Sequence, residues 1–403
     1  MRASLPRHVP VLVIGAGQAG LAAAWWLQER GLTPGRDLLV LDADADAGGA
    51  WQHRWPALRI GAAHRIADLP GMREAGLGFA DAPRDRPASE VVVAQYRAYE
   101  RFWRLDVRHG VRVDAVRRAP APAADDVAGP ARRSAAEQRA VTTRPHGEAP
   151  TVEGDATASG RFRVTGRDAT GPVTLTADVI VNATGTWRSP FVPWYPGRDR
   201  FAGVQLHTHC WRDARRFTGM RVGVVGGGTS AVEHLAELDG VAASTVWFTR
   251  RPVHLVETDG LTTEAGIASV ATMDRAARAG RPLPSVVSTT GLPHTGYMRG
   301  LIDRGALVSQ PMFRRLGADG AVLSGGTTLP LDAIVWDTGF RPHLGHLAPL
   351  RLREPAGGVR VVDGVAVREP HLILAGYGPQ ASTITAAHAG RVNALAALRA
   401  LSR

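Results

Sequence analysis

The apolar positions of this chain fall into two kinds of run. Short continuous stretches, among them Pro10-Val-Leu-Val-Ile14, Leu38-Leu-Val-Leu41, Asp178-Val-Ile-Val181, Arg221-Val-Gly-Val-Val225 and Ala333-Ile-Val-Trp336, have the length and content of strands buried on both faces of a parallel sheet. Between them lie segments with helical spacing. Leu21 to Arg30 is alanine-rich, and Val92, Tyr96, Tyr99 and Trp103 recur at intervals of 4, 3 and 4. That spacing predicts one apolar face of a helix from Ser89, taken as its N-cap, to Trp103. Val111 to Val113 reads as a short strand. Arg161 to Val164 and Val173 to Thr176 read as a hairpin, distinct from the buried strand at 178–181. Thr245 to Thr249 and His371 to Ala375 read as further strands, and a helix closes the chain. Residues about 119 to 160 break the pattern, being rich in Ala, Pro, Gly, Arg and Asp with no period of either kind. They predict a mobile loop inserted between sheet elements, with no part in the chemistry.

A strand, a glycine-rich turn, a helix and a second strand occur in that order twice. The first turn holds Gly15, Gly17, Gln18, Ala19 and Gly20, and Asp42 ends the next strand about 22 residues beyond Gly20. The second holds Gly226, Gly228, Thr229 and Ser230, with Ala231 in place of the third glycine, and its following strand ends in Arg250 and Arg251. Glycines at such turns let the backbone approach a pyrophosphate, whose charge then sits at the N-terminus of the helix. A plain tight turn is the alternative; the strand before, the helix after and the acidic strand end favour a dinucleotide. Asp42 is placed to accept hydrogen bonds from a ribose diol. Arg250 and Arg251 suit a ribose 2′-phosphate, which a carboxylate would repel, against the alternative of ordinary surface arginines. The first turn is thus expected to hold a dinucleotide with a free 2′-hydroxyl, and the second NADPH. Two such folds in one chain make the arrangement for electron transfer from a nicotinamide to a flavin.

Composition narrows the field. A length of 403 residues suggests two to three domains, and 44% hydrophobic with 21% charged residues is ordinary for a soluble globular protein. The net charge of +11 at first suggests nucleic acid, but the chain has no lysine. Its arginines are scattered as singles and pairs without a basic tract or interleaved aromatics, as a GC-rich coding bias would leave them, so no nucleic-acid partner is expected. No apolar run approaches the ~20 residues of a membrane span. The glycine turn interrupts the apolar N-terminal stretch, and no signal-type cleavage site follows, so a cytoplasmic protein without membrane insertion is expected. Cys210 is the single cysteine, which excludes a disulfide framework, a Cys-rich metal or iron–sulfur site and a CxxC pair. His207 and His209 beside it lack a second ligand cluster, so no metal is expected. Trp25 and Trp26 read as core.

These features resemble the two-dinucleotide-binding-domain flavoproteins and, among them, the class B flavoprotein monooxygenases, which include the flavin-containing and Baeyer–Villiger enzymes. Gly48-Gly-Ala-Trp51 is similar to that family's GG-x-W stretch near the flavin. Asn182-Ala-Thr-Gly185 and Asp337-Thr-Gly339 resemble its two ATG-type motifs at the passages between domains. Gly376 to Thr383 is similar to its closing segment, whose helix N-terminus faces the flavin pyrimidine. Phe201-x-Gly203-x-x-x-His207-x-x-x-Trp211 fits its fingerprint. Trp211 agrees with the Baeyer–Villiger version, yet Arg212 follows where that version has Pro or Asp. Asp68, before Leu69-Pro70, stands where the family has asparagine.

The resemblance implies an α/β fold of two Rossmann-like three-layer dinucleotide-binding domains, the NADP domain inserted in the FAD domain. The boundaries expected are 1–188 for the first part of the FAD domain, 189–334 for the NADP domain and 335–403 for the second part. Cofactor contacts are implied at Ala43, Gly49, Trp51, His53 and Val113, at Ala183, Thr184 and Gly185, and at Thr338, Gly339, Gln380 and Ser382. Asp68, His207 and Arg65 are the candidate catalytic residues. The activity implied is that of an FAD-dependent, NADPH-using monooxygenase that forms a C4a-(hydro)peroxyflavin. It would pass one atom of dioxygen to a small nitrogen or sulfur nucleophile or a carbonyl substrate. An NADPH oxidase or reductase of the same fold, and a non-catalytic redox-sensing flavoprotein, stand as alternatives. Flavin-to-dithiol transfer is closed, because Cys210 has no partner.

Overall fold

The computed structural model of the chain describes residues 4–63, 66–119, 161–253, 255–256, 263–284, 292–293, 296–382 and 385–403. Arg65 and, from residue 120 on, the expected insertion lie outside the described residues.

The first sheet is built around β1 (His8–Ile14), which pairs in parallel with β2 (Leu38–Asp42) on one side and β6 (Gly171–Asn182) on the other. Beyond β2 lies β3 (Val107–His109), and beyond β6 lies β19 (Glu369–Leu374), both parallel to their neighbours. Val11 and Val13 enter one buried cluster with α1 (Gln18–Glu29) and α2 (Ala88–Phe102), whereas Leu12 and Ile14 enter another on the opposite face. A strand covered on both sides needs no polar alternation, which is why β1 and β2 read as continuous apolar runs.

Three local expectations are corrected. The hairpin strand at 173–176 and the buried strand at 178–181 are one 12-residue strand, β6. Its first half alternates in burial and pairs antiparallel with β5 (Phe162–Asp168), while its second half is almost wholly buried between β1 and β19. The period changes within the strand without a breaking residue. The expected strand at Val111 is two, β3 and β4 (Arg112–Arg118), turned at Gly110 with φ +78°. Finally, α2 buries Val92, Tyr96 and Tyr99 as predicted, but it starts at Ala88 behind Pro87, so Ser89 lies inside the helix and does not cap it. The Ala88 N–H donates instead to Leu58 O at 2.8 Å.

The second sheet has five parallel strands in the order β12 (Ser309–Pro311), β9 (Ser244–Thr249), β8 (Arg221–Val225), β16 (Ala333–Trp336), β7 (Val204–His207). Helix α3 (Thr229–Leu238) follows β8. A small antiparallel sheet, β13 (Arg315–Gly317), β14 (Gly320–Val322) and β15 (Thr328–Pro330), flanks it, and a core of Phe248, Phe313 and Trp336 lies between. The pair β10 (Leu255–Val256) and β11 (Leu292–Pro293), α4 (Thr263–Arg278) and α5 (Gly296–Asp303) fill the same span of chain. The first sheet resumes with β17 (Val361–Val362) and β18 (Val365–Ala366) before β19. Helices α6 (Thr385–His388) and α7 (Gly390–Leu401) then close the chain, α7 packing on α1 where Gly390 lies against Ala22. The fold is therefore two Rossmann-like units, the second inserted in the first, and the second sheet runs to Trp336. No helix among the described residues is long and apolar enough to cross a membrane.

Candidate active site

The first turn is shaped by close backbone approaches. Gly15 has φ +105°, and an added Cβ would lie 2.4 Å from Ala183 O, just past the end of β6. A Cβ at Gly20 would lie 1.8 Å from Gly15 O, so this glycine sets how closely α1 approaches β1. Gly17 differs, because the nearest atom to its Cβ position is Gly49 Cα at 3.9 Å. Gly17 is also the extended N-cap of α1 and offers no side-chain cap, which leaves the first helical N–H groups for a ligand. Asp42, at the end of β2, is buried, and both of its oxygens accept backbone N–H bonds, from Ala16 at 2.5 Å and Asp44 at 2.7 Å. Burial raises its pKa from the ordinary value against those two bonds. Asp42 thus braces the glycine turn, a role the spacing alone did not show.

The second turn repeats the plan. Gly226 has φ +147°, and its Cβ would lie 2.1 Å from Asp337 O, just past the end of β16. Gly228, the N-cap of α3, has nothing within 4 Å of its Cβ position. Ala231 is buried where the third glycine would stand. Arg250 and Arg251 are exposed at the end of β9.

A cleft of about 2330 Å³ opens along the carboxyl ends of the first sheet and reaches α3. Of the expected residues, Gly15, Gly17, Gln18, Ala19, Asp42, Ala43, Gly49, Trp51, Asp68, Val113, Ala183, Thr184, Gly185, Thr229, Gln380 and Ser382 line it. Gly20, His53, His207, Gly226, Gly228, Ser230, Arg250, Arg251, Thr338 and Gly339 are not in its wall. Asp68 accepts the Phe79 N–H at 2.9 Å, and Gln18 Nε2 donates to the neighbouring Ala67 O at 3.2 Å, which ties this wall to α1. Gln380 accepts from Asn393 Nδ2 at 2.9 Å, and Ser382 Oγ accepts the Thr385 N–H at 3.0 Å at the start of α6.

His207 stands apart from the cleft wall and is a fastener between chain passages. Its Nδ1 accepts the His209 N–H at 3.0 Å, so Nε2 carries the proton and donates to Gly339 O, also at 3.0 Å. Burial lowers its pKa, and the neutral ring spans β7 and the second passage. The two passages run side by side: Phe191 N donates to Gly339 O at 3.0 Å, Arg341 N to Ser189 O at 2.9 Å and His343 N to Gly185 O at 2.9 Å. Thr338 Oγ1 donates to Phe191 O in the same ladder. Beneath them His346 Nε2 donates to Asn182 Oδ1 at 2.6 Å, and burial pushes that imidazole down to about 4.

Sequence reasoning missed the aromatic hub of the cleft. Trp187, two residues past the first ATG-type motif, stacks on His53 at 5.9 Å and on Phe340 at 5.0 Å, and Arg54 lies over its ring at 4.6 Å. His53 Nε2 also sits 3.1 Å from Asp44 Oδ1. Arg54 faces Glu233 of α3, whose carboxyl burial pushes up to about 8 against the pull of that guanidinium. The signal available was the tryptophan two residues past the motif; its partners, distant in sequence, carried none.

With this geometry in place, comparison with known proteins identifies the class. Residues 9–275 match the pyridine nucleotide-disulphide oxidoreductase family, and the chain belongs to it. An FAD-binding monooxygenase, ausC of Aspergillus calidoustus, is 28% identical over 267 residues, 63% of this chain and 35% of that protein. The indole-3-pyruvate monooxygenase YUCCA1 of rice (Oryza sativa subsp. japonica) is 28% identical over 255 residues, 62% of this chain and 51% of that protein. The chain thus spans about a third to a half of the length of these curated relatives. Among solved structures, a flavin-containing monooxygenase from Stenotrophomonas maltophilia superposes with a TM-score of 0.69 at 27% identity, over 98% of this chain and 99% of that one.

Proposed function

We propose that this chain is an FAD-dependent, NADPH-using monooxygenase that transfers one atom of dioxygen to a small substrate, at a nucleophilic nitrogen or sulfur or at a carbonyl carbon. The carrying observation is that two glycine turns share one plan, the first lining the cleft and the second opening α3, whose first residue, Thr229, reaches the same cleft. In each turn the first glycine is packed against a backbone carbonyl, while the Cβ position of the middle one, Gly17 or Gly228, stands open. Those open positions are cradles where a phosphate approaches the backbone. The relatives named above, an FAD-binding monooxygenase and two further monooxygenases, support the same reading. The flavin-binding unit is assigned to both ends of the chain and the coenzyme unit to its middle, with the joins in the paired passages 185–191 and 338–343.

When bound, the flavin supplies two-electron chemistry, taking electrons from the nicotinamide and using them to activate dioxygen. The chain supplies the setting. The N-termini of α1 and α3 and the open glycines bind the two pyrophosphates. Asp42 orients a ribose hydroxyl pair, and Arg250 with Arg251 binds a 2′-phosphate. Trp51, Trp187 and Arg54 wall the cleft and exclude water from it. His207 moves no proton, because both ring nitrogens are engaged in the passage ladder.

Asp68 favours a second reading, an NADPH oxidase or reductase, because it places a carboxylate in the cleft wall where the related enzymes carry asparagine. The experiment is to mix NADPH-reduced protein with ¹⁸O-labelled dioxygen in the presence of amines, sulfides and ketones. The monooxygenase reading predicts a product carrying one labelled atom and a matching fall in hydrogen peroxide. Stoichiometric peroxide with every substrate class contradicts it and supports the oxidase.

A further inference from the structure

Helix α3 carries buried Glu233 and His234 and half-buried Glu237, groups that dinucleotide binding does not account for. Glu237 accepts hydrogen bonds from two indoles: Trp55 Nε1 donates to Oε1 at 2.5 Å and Trp211 Nε1 to Oε2 at 3.1 Å. Both rings are fully buried. Trp55 belongs to the first unit, just past the short turn Gly49–His53, and Trp211 follows the turn Thr208–Cys210 after β7. His234, on the same helix, stacks on Trp211 at 4.0 Å, and its Nδ1 lies 3.0 Å from Asp337 Oδ2 at the end of β16. Glu233, one turn before Glu237, faces Arg54, the neighbour of Trp55. Taking even part of a carboxylate out of water is costly unless its oxygens are satisfied, and Glu237 is half-buried against two fully buried indoles. Here each oxygen has one indole donor, and the two donors come from different parts of the chain.

We propose that Glu237 is a positioning residue. Its carboxylate pins α3, and with it the second glycine turn, to the Gly48–Trp55 wall of the first unit, and so sets the distance at which the coenzyme meets the flavin. This rests on the assignment of the two turns to NADPH and FAD. The lever is short, since Thr229 at the start of α3 and Trp51 on the opposing segment both line the cleft. Displacements of about 1 Å at reacting groups cost up to about 10²-fold in rate. The pin also gives Trp211, the last position of the fingerprint, a physical task, because the ring fills a buried site while its N–H serves the carboxylate.

Glu237→Gln keeps the volume but offers one acceptor oxygen and an NH₂ donor, so one indole N–H is left facing another donor. Trp55→Phe removes the first unit's donor and keeps an aromatic ring. The holoprotein variants are compared by anaerobic reduction with saturating NADPH, by NADPH Kd, by flavin content, and by the exchange of indole N–H signals in ¹⁵N-tryptophan-labelled protein. We expect E237Q and W55F each to slow reduction by about tenfold or more, with Kd for NADPH within about threefold and flavin content unchanged. In the wild type the Trp55 and Trp211 indole protons exchange slowly, and in E237Q at least one loses that protection. The double variant is expected to be no slower than E237Q, since both substitutions break one contact. Reduction within about twofold of wild type in W55F and E237Q, or a double variant slower by the product of the two effects, overturns the pin. If E237Q does not fold, W55F decides by the same readouts. A wild-type protein that NADPH fails to reduce overturns the assignment of the turns, and does so before any substitution is made.

Discussion

At Gly15 an added Cβ would meet the Ala183 carbonyl at 2.4 Å, and at Gly226 it would meet the Asp337 carbonyl at 2.1 Å. Backbone bonds repeat too: Gly15 N donates to Leu41 O at 2.7 Å and Gly226 N to Phe248 O at 3.0 Å, while Ala183 N and Asp337 N each donate at 2.7 Å to the last residue of the neighbouring strand, Ile14 or Val225. The two turns part at the third position and at the next strand's end. Gly20 has no room for a side chain, whereas Ala231 is accommodated. At the end of β2 stands a buried carboxylate bonded into the glycine turn; after β9 stand two exposed arginines. The β-α-β plan dictates the shared sterics, and under the proposed function the few side chains at the strand ends decide which dinucleotide each unit takes.

The largest effects should come from the first glycines, and they should separate the two units. Gly15→Ala is expected to yield protein without flavin. Gly226→Ala should keep its flavin yet be reduced by NADPH about 100-fold more slowly, as flavin absorbance per chain and anaerobic mixing will show. Flavin loss in both variants would break the division. The histidines behind the two carbonyls come next, since His346 is bonded to Asn182 but His234 faces the carboxylate of Asp337. With its pKa held at about 4, against about 6.5 unfolded, His346 makes the unfolded chain the better proton binder between those values. Its contribution is therefore intact above pH about 6.5, falls by about 3 kcal/mol on acidification to about 4, and is flat below. His346→Asn should remove that slope from denaturation curves measured across the window; an unchanged slope would assign the acid sensitivity elsewhere.

Smaller effects test the strand ends. Arg250→Ala should raise KM for NADPH about tenfold while leaving KM for NADH within about twofold, as a lost charge-assisted hydrogen bond requires. Equal changes would remove the argument for a 2′-phosphate. Smallest is Ala231→Gly, which should cost about 1 kcal/mol of stability through helix propensity and leave both cofactors bound. Gly20→Ala, the reverse change in the first unit, should instead disrupt the turn.

Much of this arrangement was legible from the chain because strands covered on both faces are written as uninterrupted apolar runs, and because glycine turns are local. The same locality explains what was not. That Asp42 braces Ala16 N, or that Glu237 joins Trp55 to Trp211, depends on residues far apart in sequence with no shared period. His207 was legible as a fingerprint position but not as a fastener, since its partner Gly339 lies 132 residues away. The fusion of two readings into β6 hid for a different reason: a strand that leaves one sheet environment for another changes its burial pattern without a turn. Trp187 had a local signal, a tryptophan two residues past a glycine motif, and its stacking on His53 and Phe340 gives that signal its meaning.

The most direct measurement is an anaerobic titration of the purified protein with NADPH, following the flavin spectrum. The proposed assignment of the two glycine turns predicts one FAD per chain, reduced completely by one equivalent of NADPH. A chain that retains no flavin when purified with excess FAD, or a bound flavin that NADPH leaves oxidised, would contradict the account.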